Sequence, residues 1–143
     1  MPSIGLQKRI ERFYISINRL KKLSNYNKEN ILSDFKISDS IERNLQITIQ
    51  SLIDIGNFII SKLEFEPPTK YKDIAFRLYQ NKLLNKEEFE IFSKIIGFRH
   101  ILVHFYSDII FDEVYEILKN KIIDLEQIMN KLLLIIRNKK LDP

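Results

Sequence analysis

Hydrophobic positions recur at helical spacing along almost the whole chain. Leu6, Ile10, Phe13, Ile17 and Leu20 follow one another at intervals of four and three, which places them on one face of an amphipathic helix. Ser24-Asn25-Tyr26-Asn27 interrupts the pattern, and a short turn of helix is expected from Lys28 to Phe35. Asp39 with Glu42 three residues later has the form of a capping box. It predicts a long second helix with Ile41, Leu45, Thr48, Leu52, Ile55 and Ile59 on one stripe. Pro67-Pro68 is expected to stop that helix, because proline has no N–H to give to the ladder. Tyr71 to Tyr79 reads as a short helix with Ile74 and Leu78 inward.

Asn85 and Glu88 repeat the cap signature and open a helix carrying Ile91, Ile95, Phe98, Leu102 and Phe105. Ser107-Asp108 reads as a break or a cap. The last helix is expected from about Phe111 to Arg137, with Val114, Leu118, Ile122, Leu125, Met129, Leu132 and Ile136 inward. The polar tail from Asn138 to Pro143 is expected to fray. No period-2 strand pattern, internal repeat or low-complexity linker stands out. The prediction is an all-α, up-and-down helical bundle of four longer helices plus one or two short ones, forming a single domain over residues 1–143. Ile49, Ile53 and Ile60 fall off the main stripe of the second helix. A dimerising bundle would show such an excess, and a larger core accounts for it equally.

Composition narrows the class. With 143 residues the chain can bury a real core, and only three glycines and four prolines break it. There is no cysteine, which removes disulfides, thiol nucleophiles and thiolate metal sites. Two histidines alone make no structural zinc site, so no metal and no cofactor is expected. Residues 1–10 lack an apolar core of signal-peptide length, and the run Leu132 to Ile136 is far too short to span a bilayer. A cytoplasmic protein with no membrane contact is the expectation. The net charge of +4 permits contact with nucleic acid without demanding it. Lys8, Arg9, Arg12, Arg19, Lys21 and Lys22 could guide RNA, or could simply form the solvated face of the first helix.

The chemistry is concentrated in Arg99-His100-Ile101-Leu102-Val103-His104-Phe105-Tyr106, which holds both histidines of the chain. Arginine presents a planar fork to phosphate oxygens, and histidine moves protons near neutral pH. Together they suffice for metal-independent RNA cleavage, one group activating a 2′-hydroxyl and the other stabilising the charged transition state. On a continuous helix Arg99 and Tyr106 share a face, but Arg99 and His104 lie about 140° apart. They would converge only if the helix bends or ends near His104, or if two copies of the motif meet across a symmetric interface. The bland alternative is a surface or structural pair. Tyr106 then reads as a core aromatic and His100 as an exposed residue. Arg43 and Asp54, about three turns apart, share a face of the second helix. Asp54 could orient Arg99 or His104, and the simpler reading is an exposed charge or a helix–helix salt bridge.

The arrangement of Arg99, four residues, His104, one residue, Tyr106 resembles the signature of the HEPN superfamily. More narrowly it resembles the HepT-like toxins of prokaryotic HepT–MntA toxin–antitoxin pairs. Ser40 to Gln46, Ile53-Asp54-Ile55-Gly56-Asn57, Tyr71-Lys72-Asp73 and Ile96-Gly97-Phe98-Arg99 are similar to further segments of that family, in the same order over roughly residues 5–135. His100 fits the family's usual choice after the arginine, whereas Phe105 stands where the family often has Glu. The resemblance implies a helical homodimer with the motif lining a cleft between protomers. It implies an endoribonuclease toxin of a type VII-like pair, acting on RNA, either tRNA or mRNA, with Arg99 and His104 catalytic. His100, Asp54 and Arg43 would be supporting candidates. It further implies an MntA-like nucleotidyltransferase antitoxin that transfers AMP to Tyr106. Such an adenylate would add negative charge and bulk where the RNA phosphate should sit. The competing reading is a non-catalytic HEPN module that binds a nucleotide or a partner.

Overall fold

The computed structural model describes residues 4–102 and 108–141 of the protein. Helices α1 (Ile4–Leu23), α2 (Lys28–Ser33), α3 (Phe35–Lys62), α4 (Lys72–Gln80), α5 (Lys86–Ile101), α6 (Asp108–Glu116) and α7 (Ile122–Asn138) form an all-α bundle. A five-residue π-helical segment, Ile117–Lys121, joins α6 to α7.

The 28-residue α3 is the axis of the molecule and packs against α1, α2, α4, α5 and α7. Its predicted stripe is buried as expected. Ile49, Ile53 and Ile60 are buried too, each 1% exposed, by the chain's own helices. The off-face isoleucines are therefore explained by a larger core. A hydroxyl pair, Ser16 Oγ and Thr48 Oγ1 at 2.6 Å, crosses the buried seam between α1 and α3.

Several helix ends differ from the sequence expectation. α3 begins at Phe35, where Asp34 caps it by accepting from the Lys36 N–H at 2.9 Å, so Asp39 and Glu42 lie inside the helix. It ends at Lys62, ahead of Pro67. There Glu64 takes a left-handed φ of 58° and the Phe65 N–H bonds the Ile60 carbonyl at 3.1 Å. The same closure recurs at Lys82 (φ 64°) after α4 and at Lys140 (φ 52°) after α7. In each case a half-buried apolar residue follows, Phe65, Leu83 or Leu141, as this type of cap requires. The cap after α7 ties the chain down as far as Leu141, whose N–H reaches the Ile136 carbonyl at 3.0 Å, so the tail is ordered to that point rather than frayed.

The capping box at Asn85 and Glu88 is present, with both bonds at 2.8 Å. Behind it, α5 buries Phe98 and Leu102 as predicted, but buries Phe92 and Ile96 completely and leaves Ile91 and Ile95 half-buried, so its inner face departs from the predicted stripe in the first half of the helix. The long C-terminal helix is interrupted by the π segment, which periodicity did not signal. Lys119 in that segment donates to the Ser24 carbonyl, while Lys28 meets Asp112 at 2.7 Å and Lys21 meets Glu126 at 2.9 Å. These contacts hold the turn after α1 against α6, the π segment and α7.

Candidate functional site

Arg99 sits in the last turn of α5, half-buried. Its Nε donates to Gln50 Oε1 of α3 at 3.0 Å, and the guanidinium lies over the Tyr71 ring, 4.8 Å from the centroid. Gln50 Nε2 in turn donates to Asp54 Oδ1 at 2.8 Å, one helical turn along α3. The other carboxylate oxygen of Asp54 faces Arg9 Nε of α1 at 3.5 Å. The result is a chain of polar contacts, Arg9–Asp54–Gln50–Arg99, drawn from three helices and closed by an aromatic face at the start of a fourth. A glutamine suits the middle position, since its amide offers an acceptor to the arginine and a donor to the carboxylate.

Asp54 sits between the two helices that flank α3 in this chain of contacts. It makes a helix–helix salt bridge with Arg9, and it reaches Arg99 through Gln50. Nε is the nitrogen of Arg99 that hydrogen-bonds Gln50. A recess of about 340 Å³ lined by Gln46, Ile47, Gln50 and Arg99 opens at this point.

The loop that carries Tyr71 is held by Asp73. Its carboxylate accepts from the Thr69 hydroxyl at 2.8 Å, the Thr69 N–H at 3.0 Å and the Lys70 N–H at 3.3 Å. The Thr69 hydroxyl and N–H, in that order, keep the Asp73 carboxyl below its ordinary pKa.

Arg43 is exposed on α3 and lines a groove shared with Asp54, as their common face predicted. His100 is exposed on α5. His104 and Tyr106 lie outside the described residues. α5 runs to Ile101, with Leu102 as its C-cap, and His104 and Tyr106 come after this end in the chain. Sequence reasoning did not single out Gln50 or Tyr71 as partners of Arg99. Gln50 carried one faint signal, its place on the stripe between Arg43 and Asp54.

An all-α bundle with an arginine set in a polar recess at the end of α5 has the HEPN architecture. The structure superposes on a tri-AMPylated Shewanella oneidensis HEPN toxin in complex with an MNT antitoxin, with TM-score 0.81, 25% identity and coverage of 92% of this chain and 98% of that one. The chain belongs to the ribonuclease HepT-like family, whose model matches residues 13–132. It is 31% identical over 97 residues to the mRNA nuclease HepT of Shewanella oneidensis, covering 68% of this chain and 73% of that protein. It is 30% identical over 110 residues to the tRNA nuclease HepT of Aphanizomenon flos-aquae, covering 77% and 75%.

Proposed function

We propose that the protein is the endoribonuclease toxin of a toxin–antitoxin pair, cleaving RNA in the cytoplasm without a metal ion. The observation that carries the reading is Arg99: its Nε is pinned by Gln50 and its face by Tyr71, and it lines a recess beside them. An arginine held this way is preorganised to stabilise charge on a phosphate, which is where electrostatic catalysis is strongest. In the proposed reaction His104 takes the proton of a ribose 2′-hydroxyl. The 2′-oxygen bonds to the adjacent phosphorus as the bond from phosphorus to the 5′-oxygen breaks. Arg99 balances the charge on the non-bridging oxygens. A proton then reaches the departing 5′-oxygen, leaving a 2′,3′-cyclic phosphate and a free 5′-hydroxyl.

The same reading makes the toxin a homodimer with the motif in a cleft between protomers. The partner is a nucleotidyltransferase antitoxin that transfers AMP to Tyr106. The test is expression of the wild type, Arg99→Ala and His104→Ala without the partner, with RNA cleavage followed in the presence of EDTA. Growth arrest and cleavage that vanish in both variants are expected. Intact RNA with the wild type would instead leave a non-catalytic binding module. Incubation with the antitoxin and ATP is expected to add one or more adenylates at Tyr106, read by mass spectrometry.

A further inference from the structure

A groove of about 470 Å³ runs between α1 and α3, lined by Arg9, Arg12, Arg19 and Arg43 with Gln50 and Asp54. Four of the seven arginines of the chain lie along it, and none of its sixteen lysines does. Arg9, Arg12 and Arg19 follow one stripe of α1. Arg43, Ile47, Gln50 and Asp54 follow one stripe of α3, so the two rims run for about 15 Å side by side. The one carboxylate, Asp54, is engaged by Arg9. Arg12, Arg19 and Arg43 are exposed and form no ion pair among the described residues. Unpaired guanidinium groups facing one another across a groove repel, and an anion between them relieves that repulsion. The choice of arginine over lysine favours an anion with phosphate geometry.

The groove leads somewhere. Ile47 and Gln50, which line it, also line the recess that holds Arg99, and Gln50 and Asp54 line the recess that holds Tyr71. We propose that the α1–α3 groove is the track for the phosphate backbone of the RNA strand, delivering it to Arg99. This rests on the ribonuclease reading and adds to it a binding surface away from the motif. A length of about 15 Å is enough for about two to three successive phosphates, which matches the three unpaired arginines Arg12, Arg19 and Arg43. Contacts of this kind position a strand without reading its sequence. A protein partner would need an apolar centre to its footprint, and Ile15 and Ile47 are the apolar side chains here.

The test uses the full-length His104→Ala protein and a fluorescein-labelled, mixed-sequence single-stranded RNA, with anisotropy measured across a salt series. Arg12→Gln/Arg19→Gln/Arg43→Gln is compared with Lys82→Gln/Lys139→Gln/Lys140→Gln, which removes the same charge from exposed sites elsewhere. The arginine variant is expected to lose on the order of a hundredfold in affinity near 0.1 M salt. Its log–log salt slope should be shallower by about 2, at ~0.7 for each phosphate that is no longer neutralised. The lysine variant should stay within about twofold of the parent. The three single arginine variants, each with a slope change of about 0.7, give the same answer if the triple variant does not fold. Equal effects of the arginine and lysine variants overturn the proposal while leaving the ribonuclease reading intact. So does loss of antitoxin binding with RNA affinity unchanged, which would make the groove a protein-docking surface. No RNA binding by the parent protein refutes the ribonuclease reading itself.

Discussion

Gly56→Ala tests the packing that brings the site together. Gly56 is buried six residues before the end of α3, and a Cβ there would lie 2.7 Å from Ile74 Cγ2 and 3.6 Å from the Phe92 ring. The substitution sets two terms against each other. Alanine is favoured over glycine inside a helix by about 1 kcal/mol. Against that, the contact with Ile74 must open from 2.7 Å to at least 3.4 Å. Ile74 is 2% exposed and Phe92 fully buried, so neither has room to yield. Overpacking of this kind costs roughly 1–3 kcal/mol. The clash should win by about 1 kcal/mol, lowering Tm by roughly 2–5 °C. Urea denaturation monitored by circular dichroism would measure it, with an unchanged m-value required for the comparison. Ile74→Leu moves the branch off Cβ and removes Cγ2, so the double variant should recover most of the loss, with a coupling of about 1 kcal/mol. Gly56→Ala as stable as the wild type, or two effects that simply add, would refute the reasoning. Because α4 is pushed away from α3, the Tyr71 ring should also retreat from Arg99, and RNA cleavage should fall with stability.

Gln50→Leu keeps the volume and removes both bonds that position Arg99; RNA cleavage is expected to fall about tenfold, from a loss of ~1–2 kcal/mol, with stability changed much less. Tyr71→Phe should cleave like the wild type and Tyr71→Ala less well, since it is the ring face and not the hydroxyl that meets the guanidinium; equal loss in both would contradict this. The lowered pKa of Asp73 means that its carboxylate supports the Tyr71 loop at every pH above the ordinary aspartate value. That support is lost as pH falls through the lower folded value, so carboxyl NMR titration should place Asp73 below a free aspartate and Thr69→Val should raise it. Glu64→Gly and Lys82→Gly should each raise the urea midpoint by an amount worth about 1 kcal/mol, because glycine takes the left-handed conformation without strain.

The long helices were legible because each one buries a stripe, and burial is what hydrophobic spacing reports. α1, α3 and the apolar positions from Val114 to Ile136 follow directly. The ends were less legible. Three helices stop at a left-handed Glu or Lys, residue types that carry no turn signal, so Pro67-Pro68 drew the boundary that Glu64 sets. On α5 Phe98 and Leu102 were placed inward correctly, but Phe92 and Ile96 were missed because Ile91 and Ile95 are as apolar, and periodicity cannot rank two adjacent apolar stripes. Arg99 stood out by residue type and by family resemblance. Its holders did not, because the contact between Gln50 and Arg99 spans 49 residues and exists only once α3 and α5 are packed.

The order of these residues along the chain has a consequence for synthesis. Arg9, Gln50, Asp54 and Tyr71 all leave the ribosome before Arg99, and His104 and Tyr106 follow it closely. The brace is therefore translated before the group it braces. α7, which packs against both α3 and α5, comes later still. A nascent chain cut off before α5 carries a brace with nothing to hold, and one cut off before α7 carries an arginine on a helix that is not yet secured. Assembly of the complete brace around Arg99 is therefore deferred until α7 has been made and has packed against α3 and α5.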